Sequence, residues 1–233
     1  MNEKIIIDKK YRGLPDYGNG GYVSGVVARF IKGTAEITLK RPTPLNKSLN
    51  IEKTSNGKIL LLDGDVILAE GKPSSINLKV PDPPSYEEAI YASRLSKAIG
   101  NSFSSDCVIC GFNRAEGDGL RIFPGPVKGR KIVAAPWIPY SSLADDTGKV
   151  KSEFIWGVLD CPGAYAIPIE QTQKTLLGRF VVRIDRDIYT NKKYITIGWS
   201  LSKEGRKHYT GTALFTESGD LCGVAQGTWI ELK

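Results

Sequence analysis

One order of elements occurs twice along the chain, and it narrows the possible folds more than any other feature. Residues 22–31, YVSGVVARFI, carry Val23, Val26, Val27 and Phe30 at the i, i+3, i+4, i+7 spacing of a helix with one apolar stripe. A glycine-rich turn, GNGG, precedes them, with Asn19 placed to cap the helix. Ser24, Gly25 and Ala28 are small enough to let another element approach the backbone closely. In TAEITLK, Ala35, Ile37 and Leu39 then alternate with polar residues, the pattern of a half-buried strand. After a turn at RPTPLNKS, strands are expected near 49–54, 58–63 and 65–70, hinged on Asn56-Gly57 and Asp63-Gly64, with a further one over 75–80. The second half repeats the order. KSEFIWGVLD, 151–160, presents Phe154, Ile155, Val158 and Leu159 on one face and is expected to stop at Pro162 and Gly163. Strands at about 178–185, 193–202, 207–216 and 221–231 follow, with turns at Glu204-Gly205 and Ser218-Gly219.

A helix ahead of a long antiparallel meander buries its apolar stripe when the sheet curls around it. The expected class is therefore α+β: two units, 1–100 and 101–233, each an antiparallel sheet wrapped around a central helix. ITLKRPTPLNKSLNI against VVRIDRDIYTNKKYI aligns the two units and suggests an internal duplication. Residues 81–106 form the junction, Pro-rich at first and then an amphipathic helix near 85–98. Its PDPPSYEEAIYASRL also resembles a peptide ligand for aromatic-lined grooves, but inside a linker it reads as a helix start.

Composition removes several function classes. The 233 residues include 32 Lys and Arg against 25 Asp and Glu, a net charge of +7, which favours an anionic partner. The cations are scattered with no run of five, so nucleic acid is not expected. No apolar stretch is long enough to span a membrane, and the N-terminal segment is too short for a secretory signal core. Four cysteines are too few for a disulfide scaffold, which points to a reducing, cytoplasmic setting. The single histidine, His208, rules out a multi-histidine metal site and reads as a solvent-facing strand residue.

In order and motif the chain resembles tandem hotdog-fold proteins, and the acyl-CoA thioesterase II-like group among them. GNGGYVSGVVARF is similar to that family's HGG-type turn and first central helix, with Asn19 where histidine is common. AEITLKRPTPL resembles its next strand, and FIWGVLDCPGAYA its second central helix, ending in an aspartate. CVICGFNRAEGDGLRI resembles the start of a hotdog unit, and VAQGTWIEL the last strand, where the family has a glutamine. The resemblance implies acyl-CoA thioester hydrolysis, or acyl-CoA binding with hydrolysis lost, without a cofactor. It also implies possible homo-oligomers through the sheet edges.

What the resemblance implies for the site can be followed residue by residue. A helix N-terminus offers unpaired N–H groups to a developing oxyanion, and a carboxylate nearby can act as general base. In the HGG-type proteins the carboxylate lies nine positions after the histidine. From Asn19 that position is Ala28, which has no acid; counting back from Asp160 gives Lys151 and then Ser152, which has no glycine turn. One half keeps the turn and the other the acid, so one composite site is expected: Asn19, Gly20 and Gly21 with Asp160. Gln226 resembles the glutamine that orients the attacking water. A family threonine falls near Arg183, which is expected to bind a substrate anion or to pair with Asp160.

Cys107-x-x-Cys110 has the spacing of half a zinc site. A second pair is missing, with Cys161, Cys222 and His208 remaining, so no metal is expected and the cysteines read as small buried hydrophobes. Cys161 lacks a visible basic partner for a nucleophile role.

Overall fold

A computed structural model describes residues 2–168 and 174–232. Ahead of the first central helix lie β1 (Asn2–Ile6) and a small hairpin of β2 (Arg12–Leu14) and β3 (Tyr17–Gly18). Helix α1 is Gly20–Ala28, followed by β4 (Ala35–Leu39), β5 (Ser48–Lys53), β6 (Ile59–Asp63) and β7 (Val66–Pro73). Helix α2 (Tyr86–Arg94) fills the junction. The second half comprises β8 (Gly125–Pro126), β9 (Val133–Trp137), α3 (Ser152–Tyr165), β10 (Thr175–Ile184), β11 (Tyr194–Glu204), β12 (Lys207–Thr216) and β13 (Leu221–Glu231).

Among the described residues, eleven strands form one sheet in the order β1-β5-β6-β7-β4-β10-β13-β12-β11-β9-β8, every pairing antiparallel. The seam between the halves is β4 against β10, where Ile37 faces Phe180 and Ala35 faces Val182. From that seam the order reads alike in both directions, strand after helix, then last, third and second strand.

Helices α1 and α3 pack side by side on one face of the sheet, antiparallel to each other. Gly21 lies against Asp160, and Gly25 against Glu153 and Trp156. A Cβ at Gly25 would stand 2.5 Å from the Cα of Glu153, so this crossing needs glycine. The single-stripe expectation for α1 is corrected: every residue from Gly21 to Ala28 is buried, because α3 covers the face the sheet leaves open. The opposite face of the sheet, over the second half, takes α2, whose Ala89 and Ala92 pack with Ile195, Ile197 and Phe215. That helix starts at a capping box, with the Ser85 hydroxyl accepting from the Glu88 amide and the Glu88 carboxylate from the Ser85 amide.

Four further expectations change. Residues 75–80 are not a strand; Ile76 instead packs on Val181 and Val224 on the sheet's outer face. Helix α1 ends at Ala28, short of 31. Helix α3 runs through Pro162 to Tyr165. Proline removes the N–H that would bond the Val158 carbonyl, and the Thr196 hydroxyl donates to that oxygen at 3.4 Å. The Leu159 carbonyl likewise accepts from Thr212 at 2.7 Å. Strand hydroxyls thus bond the carbonyls ahead of the proline, and the helix goes on for another turn. Finally, His208 is buried, its Nε2 3.4 Å from a Glu231 carboxylate oxygen; alternation along β12 turns it inward.

Candidate active site

The N-terminus of α1 and the last turns of α3 meet at one end of the helix pair. Asn19 caps α1, its Oδ1 accepting from the Tyr22 amide at 2.8 Å. Its Nδ2 then donates to Asp160 Oδ2 at 3.0 Å. The Gly21 amide donates to that same oxygen at 2.9 Å. A Cβ at Gly21 would sit 2.4 Å from Asp160 Cβ, so a larger residue would drive the carboxylate away. Asp160 is 3% exposed, and its other oxygen, Oδ1, has no hydrogen-bond partner. Burial pushes the carboxyl up to about 7, with the negative field of Cys107 adding to the rise; the bonds from Gly21 and Asn19 act against it. Gly20, at the first helical position, makes no amide hydrogen bond among the described residues.

Asn19, Gly20 and Asp160 lie on the wall of a cavity of about 620 Å³, within the range of small-molecule sites. Much of the wall is apolar, with Val23, Leu39, Leu177, Phe103, Ile167 and Ile230. Lys40, Arg41, Lys97 and Lys174 also line it. Among the described residues no helix is long and apolar enough to cross a membrane.

Of the residues singled out from the sequence, Asn19, Gly20, Gly21 and Asp160 come together. Gln226 and Arg183 do not join them. Gln226 lies opposite Val181 on β10, and Arg183 opposite Val224 on β13. Val181 and Val224 pack outward onto Ile76. Residues two apart on a strand share a face, so Gln226 and Arg183 face away from α3. The inward set on β13 is Ala225, Gly227 and Trp229, the indole donating to the Thr210 hydroxyl at 3.0 Å. Arg183 Nε instead donates to Asp185 at 2.7 Å, which corrects the expected pairing with Asp160.

The sequence reading did not place Cys107, Cys110 and Cys161 together. All three are buried beside Asp160, with their sulfurs within 4.8 Å of one another. Asn19 Nδ2 reaches the Cys107 sulfur at 3.6 Å as well as Asp160. Hydrogen bonds from Cys110 first, and then Cys161, hold the Cys107 thiol well below its usual range. The Cys107-x-x-Cys110 spacing was the available signal for this cluster; the four cations on the cavity wall had none. Among the described residues, no equivalent site forms at the far end of the helix pair, around Ala28 and Ser152. There Arg29 lies 3.7 Å from the Glu153 carboxylate.

No family model matches the chain, and no curated protein does either. Solved structures do. Acyl-CoA thioesterase II TesB2 from Mycobacterium marinum superposes with a TM-score of 0.63 at 10% identity, over 99% of this chain and 93% of that one. The tesB protein of Mycobacterium avium subs paratuberculosis gives 0.61 at 13% identity, over 93% and 88%. A conserved protein of unknown function with a hot dog fold from Alicyclobacillus acidocaldarius gives 0.59 at 8% identity, over 100% and 93%. The likeness extends along the whole chain and shows a shared fold.

Proposed function

We propose that this hotdog-fold chain consists of two hotdog units, 1–100 and 101–233, and hydrolyses an acyl thioester of coenzyme A at a single composite site between them. One observation carries the reading: Asp160 is held through one oxygen by Gly21 and Asn19, which leaves the other without a protein partner beside a largely apolar cavity. A carboxylate fixed in this way is oriented by its bound oxygen and can accept a proton at the other.

In this reading the acyl chain occupies the apolar wall, and the thioester carbonyl oxygen takes the Gly20 amide at the start of α1. The helix dipole and the unpaired N–H favour the negative charge that develops there. Water attacks the carbonyl carbon while Asp160 Oδ1 takes its proton. The carbon–sulfur bond then breaks, and the proton passes to the departing thiolate. Lys40, Arg41, Lys97 and Lys174 meet the phosphates of the carrier. The name of one structural neighbour, the acyl-CoA thioesterase II TesB2 from Mycobacterium marinum, supports this substrate class.

Binding without hydrolysis is the second reading. It is favoured by Gln226 facing the wrong side of the sheet, which deprives Asp160 of the water-orienting partner that the resemblance implied. Free-thiol release from a panel of acyl-CoAs of increasing chain length separates the two. Release that Asp160→Asn abolishes supports hydrolysis. Saturable acyl-CoA binding with no release at any chain length would leave the binding reading.

A further inference from the structure

Cys107 and Cys110 lie in a five-residue turn that runs from Cys107 to Gly111. The Gly111 amide donates to the Cys107 carbonyl at 2.8 Å, and a Cβ at Gly111 would meet that oxygen at 2.5 Å, so the turn closes only around glycine. Inside the turn the Ile109 amide donates to the Cys107 sulfur at 3.4 Å. Asn19 Nδ2 adds a second donor at 3.6 Å. A sulfur that accepts from two N–H groups is set up as a thiolate, the form that binds metals. Cys161 reaches the same point from α3, and Tyr165 Oη lies 3.7 Å from the Cys110 sulfur. None of the three forms a disulfide.

We propose that Cys107, Cys110 and Cys161 form a binding site for a thiophilic divalent cation of the Zn²⁺ class, with its fourth position open toward the cavity. A tetrahedral ion about 2.3 Å from each sulfur sets neighbouring sulfurs about 3.8 Å apart. Three sulfurs within 4.8 Å of one another reach that spacing by side-chain rotation. Soft sulfur donors exclude Mg²⁺ and Ca²⁺, which require oxygen ligands. Asp160 lies outside the set of three, and the cavity wall runs past Cys107, Cys110 and Cys161, so a small ligand has access to the vacant position. Three thiolates and one dication give a complex of charge −1, and each cysteine that is still a thiol releases its proton on binding. The site does not depend on thioester hydrolysis, since a chain that only binds acyl-CoA would hold the ion equally well.

The test uses the full chain, reduced, freed of metal with a chelator and kept anaerobic, and then titrated with Co²⁺. One equivalent should give sulfur-to-cobalt charge-transfer absorption in the near ultraviolet and the visible bands of a tetrahedral site, and Zn²⁺ should displace both. Cys110→Ser and Cys161→Ser should each weaken the charge-transfer band and lower affinity by more than about tenfold, the scale at which even outer partners of a metal act. Cys222→Ser should leave both unchanged, because Cys222 bonds the Asp220 carbonyl away from the cluster. If either serine variant fails to fold, as judged by circular dichroism, the wild-type spectrum still decides. Absence of the charge-transfer band in wild-type protein whose four thiols all react after denaturation would overturn the proposal. So would a band that survives both serine variants, or a disulfide within the cluster in freshly isolated protein.

Discussion

At Asp160 the structure separates stability from activity. Asp160→Asn keeps an oxygen to accept from Gly21 and Asn19 and removes a buried negative charge. Its melting temperature should equal or exceed that of the wild type, while thiol release falls by about 10²–10⁴-fold, the usual loss of a general base. Equal loss of both would reduce Asp160 to a structural role. Gly21→Ala should lower both, because the new Cβ would overlap Asp160; overpacking of this kind costs about 1–3 kcal/mol, readable by chemical denaturation. At this scale the sequence was legible where the chemistry is local. The family resemblance, with the glycine turn kept in one half and the acid in the other, pointed to Asn19, Gly20, Gly21 and Asp160. Gln226 and Arg183 misled because motif likeness fixes a strand but not the face of a residue. One position of slip along β13 exchanges Gln226 for Ala225, and with it the outside of the sheet for the inside. The thiol cluster was hidden for a different reason: Cys161 lies far along the chain from Cys107 and Cys110, and no local pattern joins a helix to a distant turn.

For the elements, the helix cores and the hairpin turns could be read from periodicity and from glycine after Asn, Asp, Glu or Ser. The ends could not. Helix α3 passes Pro162 because Thr196 and Thr212, on strands that arrive later in the chain, donate to carbonyls near the proline. A local rule sees the missing N–H but not the distant hydroxyl. Thr212→Val should therefore destabilise the fold by about 0.5–1.5 kcal/mol in urea, the net value of one hydrogen bond, and loosen the turn that carries Cys161. Strands β1, β8 and β9 went unread because they are short or lack clean alternation. The contact between α1 and α3 was half legible: Ser24, Gly25 and Ala28 announced a close neighbour, but only the three-dimensional packing identified it. Gly25→Leu should separate the helices and lower the melting temperature more than the same change on an exposed helix face.

Over the whole molecule, the net charge of +7 hints at an anionic ligand without saying where it binds. Four cations from both halves line one cavity, and each alone is unremarkable in sequence. On the proposed function, Arg41→Ala and Lys97→Ala should raise KM for an acyl-CoA with little change in kcat. The effect should shrink as salt screens the phosphates. A KM indifferent to both charge and ionic strength would place the carrier elsewhere. The continuous sheet across the β4–β10 seam, together with the packed helix pair, also makes separate unfolding of the halves unfavourable. Denaturation followed by tryptophan fluorescence and by circular dichroism should give coincident transitions.

The pairing of Arg29 with Glu153 bears on stoichiometry. Where two identical subunits meet about a twofold axis, any pocket at their junction occurs twice, and its copies can influence one another. Here the two ends of the helix pair differ: one presents a cavity with Asp160, and the other is occupied by an ion pair. On the proposed function a single chain should bind one ligand, not two. Saturation should follow a plain hyperbola with a Hill coefficient of one, and calorimetric titration should end at one equivalent per chain.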